Sequence, residues 1–139
     1  MTEFKNKVVI VTGAGGGIGR QHALEFARRG ARVLVNDLGS DVRGEGGGPM
    51  ADSVVQEIRD SGGVAVANYD SVSEPESAAA IVEQAVSEFG TVDILINNAA
   101  IDFVPSTESD LTGLDFSDFD KIINVNVKAP LFLSKILSH

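Results

Sequence analysis

The sequence TGAGGGIG, residues 12–19, decides the fold, because it joins an apolar β-branched run to a stretch with helical spacing. The run before it, Lys7 to Val11, predicts a buried strand, and the stretch after it, Ile18 to Arg29, predicts a helix. Glycines at such a junction permit a tight turn, close approach of the backbone to a pyrophosphate, and close packing of the helix on the strand. The N–H groups at the helix start then face the phosphates. A flexible loop is the alternative, but the position between strand and helix favours nucleotide binding.

Outward from this junction, strands and helices alternate along the whole chain. Further strands are predicted at Arg32–Asn36, Val64–Asn68 and Val92–Ile96. Such alternation is typical of right-handed βαβ units and predicts an α/β fold, a Rossmann-type doubly wound parallel sheet with strand order 3-2-1-4. No repeat or linker divides the sequence, so residues 1–139 are predicted to form one dinucleotide-binding domain.

The helices between the strands have recognisable starts and ends. A second helix contains the apolar residues of the stretch 54–58 and ends at the glycines 62 and 63. Ser73 resembles the N-cap of a third helix, with Pro75 in its first turn. Ser117 predicts the start of a long final helix.

The fourth predicted strand raises a question about completeness. A doubly wound sheet usually continues past this strand, and the sequence ends at His139 after one more helix. The strand is therefore expected to have an exposed edge. The stretch from Thr91 to Asn98 carries one charge, Asp93, and no proline that would protect such an edge. This favours a truncated larger enzyme over a stand-alone module.

Composition excludes several classes of function. The chain has 139 residues, is 43% hydrophobic and 22% charged, and has a net charge of -9, as in an ordinary globular domain. The negative charge disfavours nucleic acid and anionic membranes as partners. The absence of cysteine excludes disulfides and thiolate metal sites, and no metal is expected. No apolar run approaches the roughly 20 residues that span a bilayer, and no signal peptide precedes the first strand, which predicts a cytoplasmic chain.

Two aspartates end neighbouring predicted strands. Asp37 follows the second strand, where a carboxylate can accept both hydroxyls of an adenosine ribose and would repel a 2′-phosphate. A turn-forming Asp is the alternative, but the agreement with the glycine loop favours NAD over NADP. Arg43, in the glycine-rich stretch that follows, is the residue that could reverse this preference. Asp70 similarly ends the third strand and could receive the adenine amino group, or could simply begin the next helix.

Taken together, the sequence resembles the short-chain dehydrogenase/reductase family. The resemblance is carried by the glycine spacing of residues 12–19, by NNAA at 97–100 after the fourth strand, and by Asn126 in the final helix. Two stretches, VNDLG at 35–39 and AVANYDSV at 65–72, are similar to the dehydrogenase unit of peroxisomal multifunctional enzymes of type 2. The resemblance implies hydride transfer between NAD and a secondary alcohol or ketone, with a 3-hydroxyacyl thioester as one such substrate. It also implies a homo-oligomer, because the final helix contributes to the dimer interface in the family.

The resemblance gives roles to individual positions. Asp37 would hold the ribose, and Asn97 would have a structural role between strands. Ala100 stands where the family commonly has glycine, a departure that puts cofactor contact there in doubt. The other cofactor-binding residues that it implies are Gly13, Gly16, Gly17, Ile18 and Gly19 around the pyrophosphate, Asp70 and Ser71 beside the adenine, and Asn98 and Ala99 through their backbone groups.

Asn126 is the one candidate catalytic residue. With Phe119, Ile122 and Ile123 it follows the spacing i, i+3, i+4 and i+7, which predicts a buried position on its helix. A hydrogen-bonded core Asn is one interpretation of this position. Pro130, four residues later, lacks the N–H that would bond the Asn126 carbonyl, so that carbonyl is expected to be free and the helix to kink. In the family, the matching carbonyl holds a water of the proton relay to the catalytic Lys.

The remaining catalytic groups of the family are missing from this sequence. Family members use a Tyr-x-x-x-Lys pair and a Ser, whereas the only tyrosine here is Tyr69, with Ser73 at the i+4 position. The 139 residues alone are therefore expected to be inactive. Three hypotheses remain open: the cofactor-binding part of a truncated NAD-dependent dehydrogenase, a non-catalytic NAD-binding module, or a fragment that needs a complementary chain.

Overall fold

The sheet predicted from the sequence is present in the structure. The computed structural model describes residues 3–39, 50–100 and 116–138. Four parallel strands pair in the order β3-β2-β1-β4, which confirms the predicted order. Their bounds are β1 Val8–Val11, β2 Arg32–Asn36, β3 Val64–Asn68 and β4 Ile94–Ile96.

The strand residues alternate between two apolar cores, because successive side chains point to opposite faces of a sheet. Val9 and Val11 belong to one core and Val8 and Ile10 to the other, and all four are fully buried. A strand that is covered on both faces must be continuously apolar, which explains the unbroken sequence of β1.

Helices cover both faces of the sheet. Their bounds are α1 Gly17–Arg28, α2 Met50–Asp60, α3 Pro75–Phe89, α4 Phe116–Ile123 and α5 Ala129–Leu137, with a π-helical turn at Asn124–Lys128 between the last two. The buried residues of α1 and α2 belong to the core of Val9 and Val11. Those of α3 and α5 belong to the core of Val8 and Ile10. None of the described helices is both long and apolar enough to cross a membrane.

The predicted bounds of β1, α1 and the final helix differ from the structure by one residue at one or both ends, and the starts of β4 and α3 differ for identifiable reasons. The fourth strand begins at Ile94 rather than Val92, because Asp93 turns to bond the start of β1: its Oδ2 accepts the Val8 N–H at 2.8 Å. The N-cap of α3 is Glu74 and not Ser73. The Ser73 hydroxyl lies instead 2.8 Å from the Ser71 hydroxyl, so it does not cap the helix.

The strand β4 lies at one end of the described sheet. Its neighbour there is β1, and its three residues Ile94, Leu95 and Ile96 are only half-buried. The strands β1 and β2, which have a partner on each side, are almost entirely buried. The sequence predicted an exposed edge at the fourth strand. In the described sheet, β4 has one neighbour and its apolar residues are half-exposed.

Candidate nucleotide-binding site

The parallel register brings the predicted site residues to one edge of the sheet. Val11 pairs with Val35 and with Ile96, and Asn36 pairs with Asn68, so all four strands end at a similar level. The glycine loop follows β1 at this edge, and Asp37 follows β2. In open α/β sheets, ligands bind in the crevice at the carboxyl ends of the strands.

At three positions of the glycine loop, Gly13, Gly15 and Gly19, neighbouring atoms leave no room for a side chain. A Cβ built on Gly13 would lie 2.8 Å from the Ala99 Cα, and Gly13 also has a φ of 62°, which favours glycine. A Cβ built on Gly19 would lie 2.4 Å from the Asn98 Nδ2 and 2.5 Å from the Gly13 carbonyl oxygen. The absence of side chains at these glycines allows the start of α1 to lie close to the ends of β1 and β4, as a dinucleotide loop requires.

The outer side of the same loop is open. Gly16 is the N-cap of α1 and offers no side-chain cap, and Gly17 has no neighbour within 4 Å of a built Cβ. Ile18 is 71% exposed. A helix start with N–H groups that no cap covers is a ready anion site, so Gly16, Gly17 and Ile18 surround space that suits a pyrophosphate.

Asp37 lies against this loop. Its Oδ2 accepts the Gly15 N–H at 2.8 Å, and its Oδ1 accepts the Gly39 N–H at 2.7 Å. The residue is half-buried, and a Cβ on Gly15 would lie 2.7 Å from Oδ2. The carboxylate is therefore fixed beside the pyrophosphate space. Arg43, the residue that could reverse the predicted preference for NAD, lies outside the described residues.

A buried amide pair holds Asp70 at the end of β3. The Asn68 Nδ2 donates to Asp70 Oδ2 at 2.8 Å, and the Asn36 Nδ2 donates to the Asp70 carbonyl at 2.9 Å. Asn36 and Asn68 are each 2% exposed. Neither role was predicted from the sequence, although one signal was available: each Asn ends an apolar strand one or two residues before a candidate Asp.

Thr12 is a third residue whose role was not predicted from the sequence. Its Oγ1 accepts the N–H groups of Asn98 at 3.1 Å and Ala99 at 3.0 Å and donates to the Ile96 carbonyl at 3.3 Å. The Asn98 side chain in turn donates to the Gly13 carbonyl at 3.1 Å. Thr12 and Asn98 thus tie β4 to the glycine loop.

Other assignments made by resemblance are placed differently. Asn97 is exposed, and the contacts between strand ends that were expected of it are made by Asn98 and Thr12. Ser71 is half-buried and its hydroxyl accepts the Ser73 N–H at 3.2 Å, which shapes the turn after Asp70. Ala100 is exposed, so its methyl group does not obstruct the loop.

The prediction that Asn126 is buried is wrong. Asn126 is exposed, whereas Ile122 and Ile123 are half-buried, and the Phe119 side chain lies outside the described residues. The reason is the π-helical turn, in which the Ala129 N–H bonds the Asn124 carbonyl, five residues back. The turn ends at Lys128, two residues before Pro130. Turns of this kind are frequent at functional sites.

Tyr69 is not arranged as a catalytic base. It is 52% exposed, and its hydroxyl donates a hydrogen bond to Asp52 on α2. This hydrogen bond, followed by burial and the charge of Asp52, raises the pKa of Tyr69 above its usual value. A tyrosine that acts as a base needs the opposite shift. Within the described ranges, no three His, Cys, Asp or Glu residues are grouped as metal ligands.

Comparison with known proteins shows to which family the chain belongs. The sequence model of short chain dehydrogenases matches residues 7–139. Peroxisomal multifunctional enzyme A of Dictyostelium discoideum is 51% identical over 133 residues, which cover 95% of this chain and 29% of that protein.

Two solved structures have the same fold. A short chain dehydrogenase from Mycobacterium avium has a TM-score of 0.83 at 43% identity, covering 96% of this chain and 45% of its own. A 3-ketoacyl-(acyl-carrier-protein) reductase from Brucella melitensis, complexed with NADH, has a TM-score of 0.81 at 34% identity. The match covers 96% of this chain and 49% of that reductase. The chain thus spans about half the length of these structures and under a third of the Dictyostelium enzyme.

Proposed function

The chain belongs to the short-chain dehydrogenase family, and we propose that it forms the NAD(H)-binding part of an oxidoreductase. The reaction would transfer hydride between the nicotinamide and a secondary alcohol or ketone. The similarity to a peroxisomal multifunctional enzyme and to a 3-ketoacyl reductase makes a 3-hydroxyacyl thioester our preferred substrate class.

The observation that carries the proposal is the position of Asp37. Its carboxylate lies at the end of β2, bonded to Gly15 N–H at 2.8 Å, beside the open start of α1. A dinucleotide with its pyrophosphate at that helix start would bring its adenosine ribose to Asp37. The carboxylate accepts hydrogen bonds from ribose hydroxyls and repels a 2′-phosphate, which favours NAD over NADP.

The rest of the cofactor follows from this placement. Asp70 and Ser71, at the end of β3, would border the adenine, while Asn98 and Ala99, at the end of β4, would line the path toward the nicotinamide. When bound, the cofactor supplies the hydride chemistry, and this chain binds and orients it. The backbone carbonyl of Asn126, in the π-helical turn, would hold a water of the proton relay.

The described catalytic groups are insufficient for turnover. Tyr69 is the only tyrosine in the sequence, it is engaged by Asp52, and its pKa is raised. We therefore expect the 139 residues to bind NAD without oxidising a substrate. A chain that acts only as an NAD-binding module, or that needs a complementary chain for activity, is the second candidate.

Calorimetric titration with NAD+ and NADP+ tests the proposal. The unaltered chain is expected to bind NAD+ more tightly than NADP+. Asp37→Ala should weaken NAD+ binding by roughly 10- to 100-fold, since hydrogen bonds to charged groups contribute about 1.5–3 kcal/mol. It should also reduce the preference over NADP+.

Asp60→Ala is the matched control. Asp60 is an exposed carboxylate at the end of α2, so its replacement removes the same charge far from the proposed ribose. Equal losses in the two variants would mean that charge alone, and not a site at Asp37, governs binding. The same preparations, incubated with NAD+ and a 3-hydroxyacyl thioester, should form no NADH. A folded chain that binds neither dinucleotide would refute the proposal.

A further inference from the structure

The buried amide network at the ends of β2 and β3 is built as a support for Asp70. Asn36 and Asn68 are paired in the sheet register and are almost completely buried. The positions that precede them on the two strands, Val35 and Ala67, are apolar. Burying an amide lowers the stability of the fold unless each of its polar atoms is hydrogen-bonded, so packing alone does not explain two amides at this position.

Asn68 uses its whole hydrogen-bonding capacity. Its Oδ1 accepts from Asn36 Nδ2 at 2.8 Å and from Asp70 N–H at 2.9 Å. Its Nδ2 donates to Asp70 Oδ2 and to Gln84 Oε1, both at 2.8 Å. An amide has two acceptor positions and two donors, so none is left unused. A flip of the Asn68 amide would turn its NH2 group toward the donors Asn36 Nδ2 and the Asp70 N–H, so the observed orientation is fixed.

Gln84 anchors this network to a helix. Its Nε2 donates to the Ala67 carbonyl at 2.9 Å, while its Oε1 accepts from Asn68. Gln84 belongs to α3, whose apolar face is buried against the sheet. The orientation of Asn68 is therefore set by rigid elements on two sides.

Asn68 contacts both of the aspartates assigned to the adenosine. It bonds Asp70 at the carboxylate and at the backbone N–H, and its own carbonyl accepts the Asp37 N–H at 3.0 Å. Only Oδ2 of Asp70 is engaged in this network. Within the described part of the chain, the other carboxylate oxygen, Oδ1, accepts none of the hydrogen bonds of the network, so it is available to a ligand.

We propose that Asn68 is a positioning residue that aligns the Asp70 carboxylate to select a purine with a 6-amino group. The inference rests on the proposed function, since it concerns the adenine end of the same cofactor. A carboxylate oxygen held in this way accepts an N–H of the 6-amino group. It repels the carbonyl oxygen that hypoxanthine carries at the same position.

The test compares NAD+ with nicotinamide hypoxanthine dinucleotide, which differs at the 6-position. The unaltered chain should bind NAD+ about tenfold more tightly, as expected for one hydrogen bond to a charged acceptor. Asp70→Ala should bring the ratio of the two dissociation constants close to one. Asn68→Ala should do the same with Asp70 still present. A general loss of stability would weaken both dinucleotides and leave their ratio unchanged.

Gln84→Ala is the second variant, for the case that Asn68→Ala does not fold. The substitution removes the hydrogen bond between Asn68 and α3, and alanine is well tolerated in a helix. The ratio of the two dissociation constants should fall to an intermediate value. Gln56→Ala is its matched control, because Gln56 is an exposed helical amide bonded to Asp60. Gln56→Ala should keep the full ratio.

The outcomes separate the two proposals. An unchanged ratio in folded Asn68→Ala, or in Gln84→Ala if only that variant folds, would overturn the role of Asn68. Equal binding of both dinucleotides by the unaltered chain would overturn the role of Asp70 in selection and leave NAD binding intact. Binding of neither dinucleotide by the folded chain would overturn the proposed function and this inference with it.

Discussion

Tyr69 shows how a single residue can lie near a cofactor site and still be unsuited to catalysis. It follows β3, next to Asp70, and its hydroxyl donates to the Asp52 carboxylate. Ionisation of the phenol would break this hydrogen bond and place two negative charges side by side. The neutral form is therefore favoured, which raises the pKa of Tyr69.

The ionisation of Tyr69 can be measured directly, because the chain has one tyrosine and no tryptophan. Absorbance near 295 nm, which follows the phenolate, should give a midpoint above the ordinary pKa of 10.0. Asp52→Ala should return the midpoint to about that value. Asp60→Ala, which removes a carboxylate of α2 not bonded to Tyr69, should leave it raised. Equal midpoints in all three proteins would contradict the hydrogen bond.

The same shift has a defined effect on stability. Since the pKa is higher in the folded than in the unfolded chain, the Tyr69–Asp52 interaction stabilises the fold fully below about pH 10. This contribution is lost as the pH rises through the folded pKa. The difference in free energy of unfolding between the unaltered chain and Asp52→Ala should therefore shrink at strongly alkaline pH.

At this scale the sequence predicted the positions of some residues and not others. Asp37 and Asp70 were correctly placed after the ends of strands, because a carboxylate at the end of an apolar run is visible without coordinates, and their contacts with a cofactor stay a prediction. The roles of Thr12 and Asn68 depend on hydrogen bonds across neighbouring strands, which a linear sequence does not reveal. Asn126 was misplaced, because the helical spacing of 3.6 residues does not hold through a π-helical turn.

At the scale of elements, the approach of α1 to the strand ends depends on Gly19. The space where its Cβ would lie is taken by the Asn98 Nδ2 and the Gly13 carbonyl, which are themselves hydrogen-bonded. Gly19→Ala must push the start of α1 away from β4 or break that bond. We expect a loss of about 1–3 kcal/mol in the free energy of unfolding, as for other overpacked sites.

Urea denaturation checks this value, with Gly16→Ala as the control. Gly16 has an extended backbone, with φ of -164°, and its built Cβ would meet only the end of the flexible Met50 side chain at 3.4 Å. Its replacement should cost less, under about 1 kcal/mol, through the weaker N-cap. If Gly19→Ala were no more destabilising than Gly16→Ala, the close contact would have no energetic role.

The elements themselves were largely predictable, and the reason differs from one to the next. β2 and β3 were predicted with the observed bounds, since each is a short apolar run that ends at a polar Asn. The start of β4 was misjudged because Asp93 bonds the backbone of β1, a tertiary contact. The start of α3 was misjudged because Ser73 pairs with Ser71 and leaves Glu74 as the N-cap.

For the whole molecule, the apolar surface of the described residues leads us to predict self-association. On the π-helical turn and α5, Val127 is 47% and Leu131 is 64% exposed, although both are large and apolar. At the end of the sheet, β4 leaves three apolar residues half-exposed. Exposed apolar surface favours contact with a second chain, and so does a strand edge that none of the described residues pairs with.

Sedimentation equilibrium should therefore show association that increases with concentration. Leu131→Lys places a charge on the exposed face of α5 and should weaken the association by roughly tenfold, because burying about one leucine side chain contributes 1.5–3 kcal/mol. His22→Lys is the control, since His22 is an exposed residue of α1, on the opposite face of the sheet. A chain that stays monomeric at all concentrations would contradict the prediction. If Leu131→Lys leaves the association unchanged, the contact would lie at β4 instead. Ile96→Lys is then the next variant to measure.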